Sequence, residues 1–292
     1  MVSRKIRGRC HFSGYYGKKG DPVLVAYPGQ EFINCNPINS TIWDQSGLKE
    51  GDRAVIELNT KEKYLVKENT FHLSVPMEKG PETSDEVFAN FRALTCTTLK
   101  ENYIYRSASP CDNTYNRVET VDALLEKAGI RYVVDLADTK EELDERLNSG
   151  KVSDYYRNII LSGNYFTQRL GTPGSEDYSR GMAEAARAIL STEGPFLVHC
   201  LEGKDRTGFL CVLLEAVSGA SYEEIQKDYM MTYQNYFNIT KEQTQEKYDA
   251  ILENYFLPIT EMVRDADSAR EYLLNAGMLP EEIDALIEKI SK

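Results

Sequence analysis

The sequence predicts an α/β chain, with a parallel sheet flanked by helices, a helical C-terminal part and a small β-rich segment in front. Three observations carry that expectation. Short apolar runs alternate with capped amphipathic stretches from Val118 to Val217, the pattern of a parallel sheet whose connections are helices. Beyond them the chain reads as almost wholly helical. Residues 1 to about 75 have a different texture, with β-favouring runs cut by glycine and proline.

The runs in that first segment are Val23–Ala26, Glu31–Ile33, Arg53–Leu58 and Lys63–Val66, separated by Gly-Lys-Lys-Gly-Asp-Pro, Pro-Gly and Glu-Gly-Asp. Its aromatic residues, among them Tyr15, Tyr16, Tyr27 and Trp43, are expected mostly as core and cover. No chemistry is apparent in it. Lys79–Asp85 (K-G-P-E-T-S-D) reads as a boundary, so residues 1–80 are expected as a small β-rich unit and 81–292 as the main domain.

In the main domain, Val121, Leu124, Leu125 and Ala128 fall at helical spacing and the helix stops at Gly129. Ile130–Leu136 follows as a buried strand, and Asp135 closes it at the strand end where α/β folds gather their sites. Thr139 and Glu142 form a capping box for a charged helix that closes at Gly150. Tyr155–Leu161 is expected as another strand, Ser162–Ser175 as a loop, and the stretch from near Ser175 to Leu190 as a helix whose alanines suit close packing on a sheet. In the tail, Ser221 with Glu224 caps Tyr222–Tyr233, Thr240 caps a helix reaching about Phe256, and Pro280 or Glu281 opens a last amphipathic helix. The tyrosines at 229, 233, 236, 248 and 255 are expected mostly as core, with a substrate cleft as the other reading.

The most informative stretch is Pro195–Gly208, P-F-L-V-H-C-L-E-G-K-D-R-T-G. Phe196–Val198 is short and apolar enough for a buried strand, and a helical run starts at Thr207. Between them Cys200 and Arg206 enclose five residues, enough for the backbone to curl with its N–H groups inward at the positive end of the helix. Such a cradle binds a phosphate dianion. Cysteines at helix N-termini and beside cations are held as thiolates, which makes Cys200 a candidate nucleophile. Arg206 offers a planar fork for two phosphate oxygens, a geometry lysine lacks. Gly203 lets the backbone turn closely round the anion, and the Thr207 hydroxyl is placed to donate to the thiolate.

His, Cys, five residues, Arg and Thr together resemble the signature of the cysteine-dependent protein tyrosine phosphatases, and Gly203–Gly208 (G-K-D-R-T-G) resembles the bacterial members, whose relatives include phosphoinositide phosphatases. The likeness extends to Asn90-Phe91-Arg92 and Tyr105-Arg106-Ser107, which match N-F-R and Y-R-S elements, although Ala93-Leu94-Thr95 replace the usual glycines after the first. Asp135-Leu136-Ala137 resembles a D-L-R element with Ala137 in place of arginine, and Asp228-Tyr229-Met230 and Glu271-Tyr272-Leu273 resemble patches of the family's helical tail. The resemblance implies two-step phosphoryl transfer through a cysteinyl phosphate, with Cys200 as nucleophile, Leu201, Glu202, Gly203, Lys204, Asp205 and Arg206 as the phosphate-binding loop, and Thr207 assisting. It implies no metal and no cofactor. The general acid is open among Asp205, Asp135 and Asp177. Arg92 and Arg106 are expected as supporting or substrate-binding cations, with an ordinary surface role as the alternative. The substrate implied is phosphotyrosine in proteins, with phosphoserine and phosphothreonine as further targets; a phosphoinositide or inositol phosphate is the alternative, and a silent phosphate-binding module the reading from another class.

Composition bounds the partners. With 34 basic against 46 acidic residues and a net charge of -12, the chain has no excess of cations for a nucleic-acid footprint. No apolar run approaches a membrane span. The six cysteines (10, 35, 96, 111, 200 and 211) show no C-x-x-C spacing, and with only three histidines no zinc site suggests itself. A catalytic thiol suits a reducing cytoplasm; a mature form that has lost an export signal would instead be secreted or at the cell surface. The sequence leaves the oligomeric state open.

Overall fold

The computed structural model describes residues 65–292 apart from 172 and 174, together with three short strands before them, β1 (Arg9–Phe12), β2 (Pro22–Ala26) and β3 (Asn34–Pro37). The chain divides into two units, Met1–Leu73 and Ser74–Lys292. In the first, β1 pairs parallel to β2 and β2 antiparallel to β3. Lys63–Val66 does not extend as a strand into the described residues, because helix α1 (Leu65–Phe71) begins at Leu65. The run leads into Lys67-Glu68-Asn69, helix-compatible residues, and the Thr70 hydroxyl bonds back to the Lys67 carbonyl. The runs at Glu31–Ile33 and Arg53–Leu58, and Tyr15, Tyr16, Tyr27 and Trp43, lie outside the described residues.

The second unit is built on a five-stranded sheet of order β4-β5-β8-β6-β7, formed by β4 (Arg92–Ala93), β5 (Ile104–Ser107), β6 (Tyr132–Asp135), β7 (Tyr165–Thr167) and β8 (Phe196–His199). All pairs are parallel except β4 with β5. The strand that comes last in the chain occupies the centre, where Phe196, Leu197 and Val198 are fully buried. Its register sets His199 level with Ser107 on one side and Asp135 on the other. The residues after His199 therefore emerge at the middle of the sheet's C-terminal edge.

Flanking this sheet are α2 (Asp85–Phe88), α3 (Val118–Lys127), α4 (Lys140–Asn148), α5 (Asp154–Leu161) and α6 (Glu176–Leu190). Helix α7 (Asp205–Val217) leaves the loop after β8 and is buried on every side from Thr207 to Val217, since it packs on the sheet and under α6, α8 (Tyr222–Phe237) and α11 (Ala266–Asn275). A helix apolar all round belongs in such a place. The helix expected from Thr240 starts later, as α9 (Gln245–Ile251), and passes through a π-helical turn at Leu252–Phe256 into α10 (Leu257–Thr260). The chain ends on α12 (Pro280–Ile290), opened by its proline.

Two expectations are corrected between β6 and α6. Tyr155–Leu161 is helical, not a strand: the Ser153 hydroxyl caps α5 by accepting from the Tyr156 N–H at 3.1 Å, and Tyr156, Ile159 and Ile160 bury at helical spacing. The strand lies instead at Tyr165–Thr167, inside the expected loop, where three half-buried residues pair with β6.

Asp122, buried on α3, ties that helix to α5 by accepting from the Ser153 N–H at 3.1 Å. Burial pushes its carboxyl up to about 6. A folded-state value above the unfolded one means stability is full below about pH 4 and is lost as pH rises through about 6. Asp122→Asn should remove this pH dependence and make the protein more stable at pH 7 by about 1–3 kcal/mol, measured by urea unfolding at pH 4.5 and 7.

Candidate active site

The site is assembled where β8 ends. Cys200 follows the strand, is almost fully buried, and precedes a loop that enters α7 at Asp205, so the N-terminus of a 13-residue helix faces the loop. Three successive loop carbonyls are held from behind. Leu201 O accepts from the Ser109 N–H at 3.1 Å, Glu202 O from the Tyr236 hydroxyl at 2.6 Å, and Gly203 O from Arg106 Nη2 at 2.9 Å and Asn90 Nδ2 at 3.1 Å. In a planar trans peptide the N–H points opposite to the C=O. The N–H groups of Glu202, Gly203 and Lys204 are thereby turned away from these partners, toward the interior of the loop. Gly203 has φ +65°, and a Cβ there would lie 2.1 Å from the Ser107 carbonyl oxygen, so the turn admits only glycine.

Behind the loop lies a buried charge cluster. Asp228 on α8 accepts from Arg92 Nε at 2.8 Å and from Arg106 Nη1 at 2.6 Å, and Arg92 Nη1 donates to Asn90 Oδ1 at 2.6 Å. Thr232 accepts from Asn90 Nδ2 at 3.2 Å. Burial alone would raise the Asp228 carboxyl, but the two arginines outweigh it and hold it below the usual carboxylate range. Arg92 and Arg106 are thus internal supports of the loop and not surface cations.

Beside the loop a cleft of about 450 Å³ is lined by Leu201, Asp205 and Arg206 from the loop and by Asp112, Ala137, Asp138, Arg146 and Arg169 among others; Cys200, almost fully buried, is not among its lining residues. Arg206 Nη1 donates to Leu136 O at 2.9 Å. Asp205 lines this cleft with its side chain 59% exposed and 3.8 Å from the Lys204 ammonium; partial desolvation raises its pKa, and that cation opposes the rise. Lys204 pairs with Glu202 at 2.9 Å, and Tyr115 donates to the other oxygen of Glu202 at 2.8 Å. Thr207 is fully buried at the start of α7, and its hydroxyl has no protein partner among the described residues.

The other two acid candidates sit differently. Asp135 is buried and does not line the cleft; its Oδ1 accepts from the Ala137 and Asp138 N–H groups at 2.8 and 3.3 Å and its Oδ2 from Thr167 Oγ1 at 3.3 Å. Burial raises its pKa, offset in part by His199. Its lone pairs shape the turn whose carbonyls hold Arg206 and Arg169. The Asp177 side chain is 91% exposed, pairs with Arg180, and is also outside the cleft. Cys111, Asp135 and Asp138 bring potential metal ligands within 4.8 Å of one another, but Asp138 is bidentate to Arg146 at 2.7 and 3.0 Å, so the grouping is an internal hydrogen-bond network.

Residue-type reasoning missed Ser109 and Tyr236 as supports and gave Asn90 and Asp228 no role beyond the motifs containing them. The burial of Tyr229, Tyr233 and Tyr236 agrees with their reading as core, yet Tyr236 turns its hydroxyl to the loop.

A cysteine at the end of a central strand, an anion-shaped loop and an arginine at its far end on an α/β scaffold define a cysteine-dependent phosphatase. The sequence profile of the tyrosine phosphatase family matches residues 87–291, and the chain belongs to that family. No curated protein matches the sequence. Among solved structures, the chain is similar to the core catalytic domain of the PP-IP phosphatase SIW14 from S. cerevisiae in complex with citrate, at 20% identity over 59% of this chain and 91% of that one, with a TM-score of 0.35. A second structure of the Siw14 catalytic core is 18% identical over 70% of this chain and 98% of its own, with a TM-score of 0.38.

The support from Tyr236 is testable. Tyr236→Phe removes one hydroxyl and leaves the Glu202 carbonyl without its partner, so kcat/KM for para-nitrophenyl phosphate should fall about tenfold while the unfolding midpoint drops by no more than one hydrogen bond's worth, about 1 kcal/mol. An unchanged rate would mean that the loop holds its shape without this contact.

Proposed function

We propose that the protein hydrolyses phosphate monoesters through a cysteinyl-phosphate intermediate. The observation that carries this reading is the loop with three carbonyls held from outside and Cys200 and Arg206 at its two ends. Cys200 Sγ attacks phosphorus as the bond to the leaving oxygen breaks, and Asp205 gives that oxygen its proton. Water then attacks the cysteinyl phosphate, Asp205 takes a proton back, and the thiolate departs with the Thr207 hydroxyl to stabilise it. Throughout, Arg206 and the loop N–H groups hold the equatorial oxygens. Asp205 is favoured over Asp135 and Asp177 because it alone of the three lines the cleft. Asp135 then serves as the residue that shapes the β6 turn.

For the substrate, the cleft favours an inositol phosphate or phosphoinositide headgroup over phosphotyrosine. Its lining includes Arg169 and Arg206, with Arg146 held by Asp112 and Asp138, and, among the described residues, no aromatic ring on which a phenyl group would stack. A polyol carrying several phosphates meets polar partners there. Among the described residues no helix is long and apolar enough to cross a membrane, and the four described cysteines, Cys96, Cys111, Cys200 and Cys211, are free thiols, which suits a reducing cytoplasm.

Two experiments test the chemistry. Cys200→Ser should abolish turnover of para-nitrophenyl phosphate in EDTA and leave phosphate affinity largely intact, since the cradle is backbone and Arg206; hydrolysis near the parent rate sinks the cysteine mechanism. Because the acid must be protonated to act, kcat/KM should fall as pH rises through the elevated pKa of Asp205. Asp205→Asn should remove that alkaline limb and slow phenyl phosphate, a poor leaving group, far more than para-nitrophenyl phosphate. Equal slowing with the limb retained would move the acid elsewhere.

A further inference from the structure

We infer that Arg169 forms a second-anion subsite, which binds a phosphate neighbouring the scissile one on the same polyol ring. This rests on the phosphatase reading above and names a residue that neither the loop signature nor the catalytic steps require. Of the three arginines that line the cleft, Arg206 is taken by the transferred phosphoryl group. Arg146 is occupied by two carboxylates, holding Asp138 through two nitrogens at 2.7 and 3.0 Å and Asp112 at 2.6 Å. Lys204, the cation within the loop, is 15% exposed, pairs with Glu202 at 2.9 Å and does not line the cleft. Arg169 lines the cleft with a single carboxylate partner, Glu142, and its side chain is 52% exposed.

Its guanidinium is fixed from behind. Nε donates to Ala137 O at 3.1 Å and Nη2 pairs with Glu142 Oε1 at 2.5 Å. Glu142 is itself immobilised, since its other oxygen closes the capping box of α4 by accepting from the Thr139 N–H at 2.9 Å. The Nη1 edge has no protein partner among the described residues, and the side chain lines the cleft. An arginine held on two edges and open on the third is pre-organised for an oxyanion, with little side-chain entropy left to lose.

The spacing to the reaction centre follows from the backbone. Arg206 hangs from the carbonyl of Leu136 and Arg169 from that of Ala137, the next residue, and consecutive Cα atoms are about 3.8 Å apart. Both guanidinium groups open onto one cleft from adjacent tethers, so one ligand that fills it can meet both. The two arginines would read a polyol ring with two phosphates as a pair of anions, while a substrate with one phosphate engages Arg206 alone.

The experiment compares the full-length chain with Arg169→Gln and Arg169→Lys, using an inositol monophosphate, a soluble inositol bisphosphate with vicinal phosphates, vesicles carrying a phosphoinositide bisphosphate, and phosphotyrosine peptides with and without an adjacent acidic residue. The parent should prefer the bisphosphates. In Arg169→Gln the ratio of kcat/KM for bisphosphate over monophosphate should fall at least roughly tenfold, the loss of one charge-assisted contact, and the change should lie in KM rather than kcat. Arg169→Lys should recover part of the ratio. A fall on the soluble or on the vesicle-borne substrate supports the subsite and identifies the source of its ligand. The inference is overturned if the ratio is unchanged, if all substrates lose equally, or if the effect appears only on the acidic phosphopeptide. If the parent turns over no phosphate ester through Cys200, the phosphatase reading falls first and the subsite with it.

Discussion

The site depends on one buried ion cluster, Asp228 held between Arg92 and Arg106. A carboxylate and two guanidinium groups withdrawn from water carry large desolvation penalties, and such a cluster is tolerable only when its hydrogen bonds are satisfied. Here the cluster's free edges are spent on the loop: Arg106 and Asn90 hold the Gly203 carbonyl, and Arg92 holds Asn90. The arrangement converts charge buried at the back of the sheet into the direction of one N–H group at the front. Replacing the cluster with apolar side chains of equal volume would preserve packing but remove the Arg106 bond to the Gly203 carbonyl, leaving Ser109 and Tyr236 to hold the other two.

That organisation explains what the sequence could and could not reveal. The strand, loop and helix around Cys200 are local features, so the apolar run Phe196–Val198, the glycine at 203 and the arginine at 206 were sufficient to place them. Capping boxes at Thr139/Glu142 and Ser221/Glu224 are equally local and stand as expected. Tyr155–Leu161 misled because its tyrosines and isoleucines favour strands locally, its helical spacing spans barely more than one turn, and the deciding residue, Ser153, lies just outside it. β7 escaped notice because three half-buried residues carry little pattern.

Contacts between a side chain and a distant carbonyl leave no local trace. Tyr236 is 34 positions from Glu202, and Asn90 is 113 from Gly203. Among the candidate acids, residue type gave three equivalent aspartates. Only the partners around each carboxylate distinguish one whose lone pairs are consumed by its own turn from one that faces the cleft.

The three held carbonyls also have a thermodynamic consequence. Their partners come from the segment after α2, from β5 and the residues following it, and from α8, so the cradle exists only once these parts of the domain have folded onto one another. An anion that requires the oriented N–H groups thus binds the complete domain and not its parts. On the function proposed above, inorganic phosphate is both product and folding ligand: at a hundred times its dissociation constant such a ligand adds about 2.7 kcal/mol to unfolding. Product inhibition and protection from denaturation are then the same equilibrium, read once through the rate and once through the melting curve.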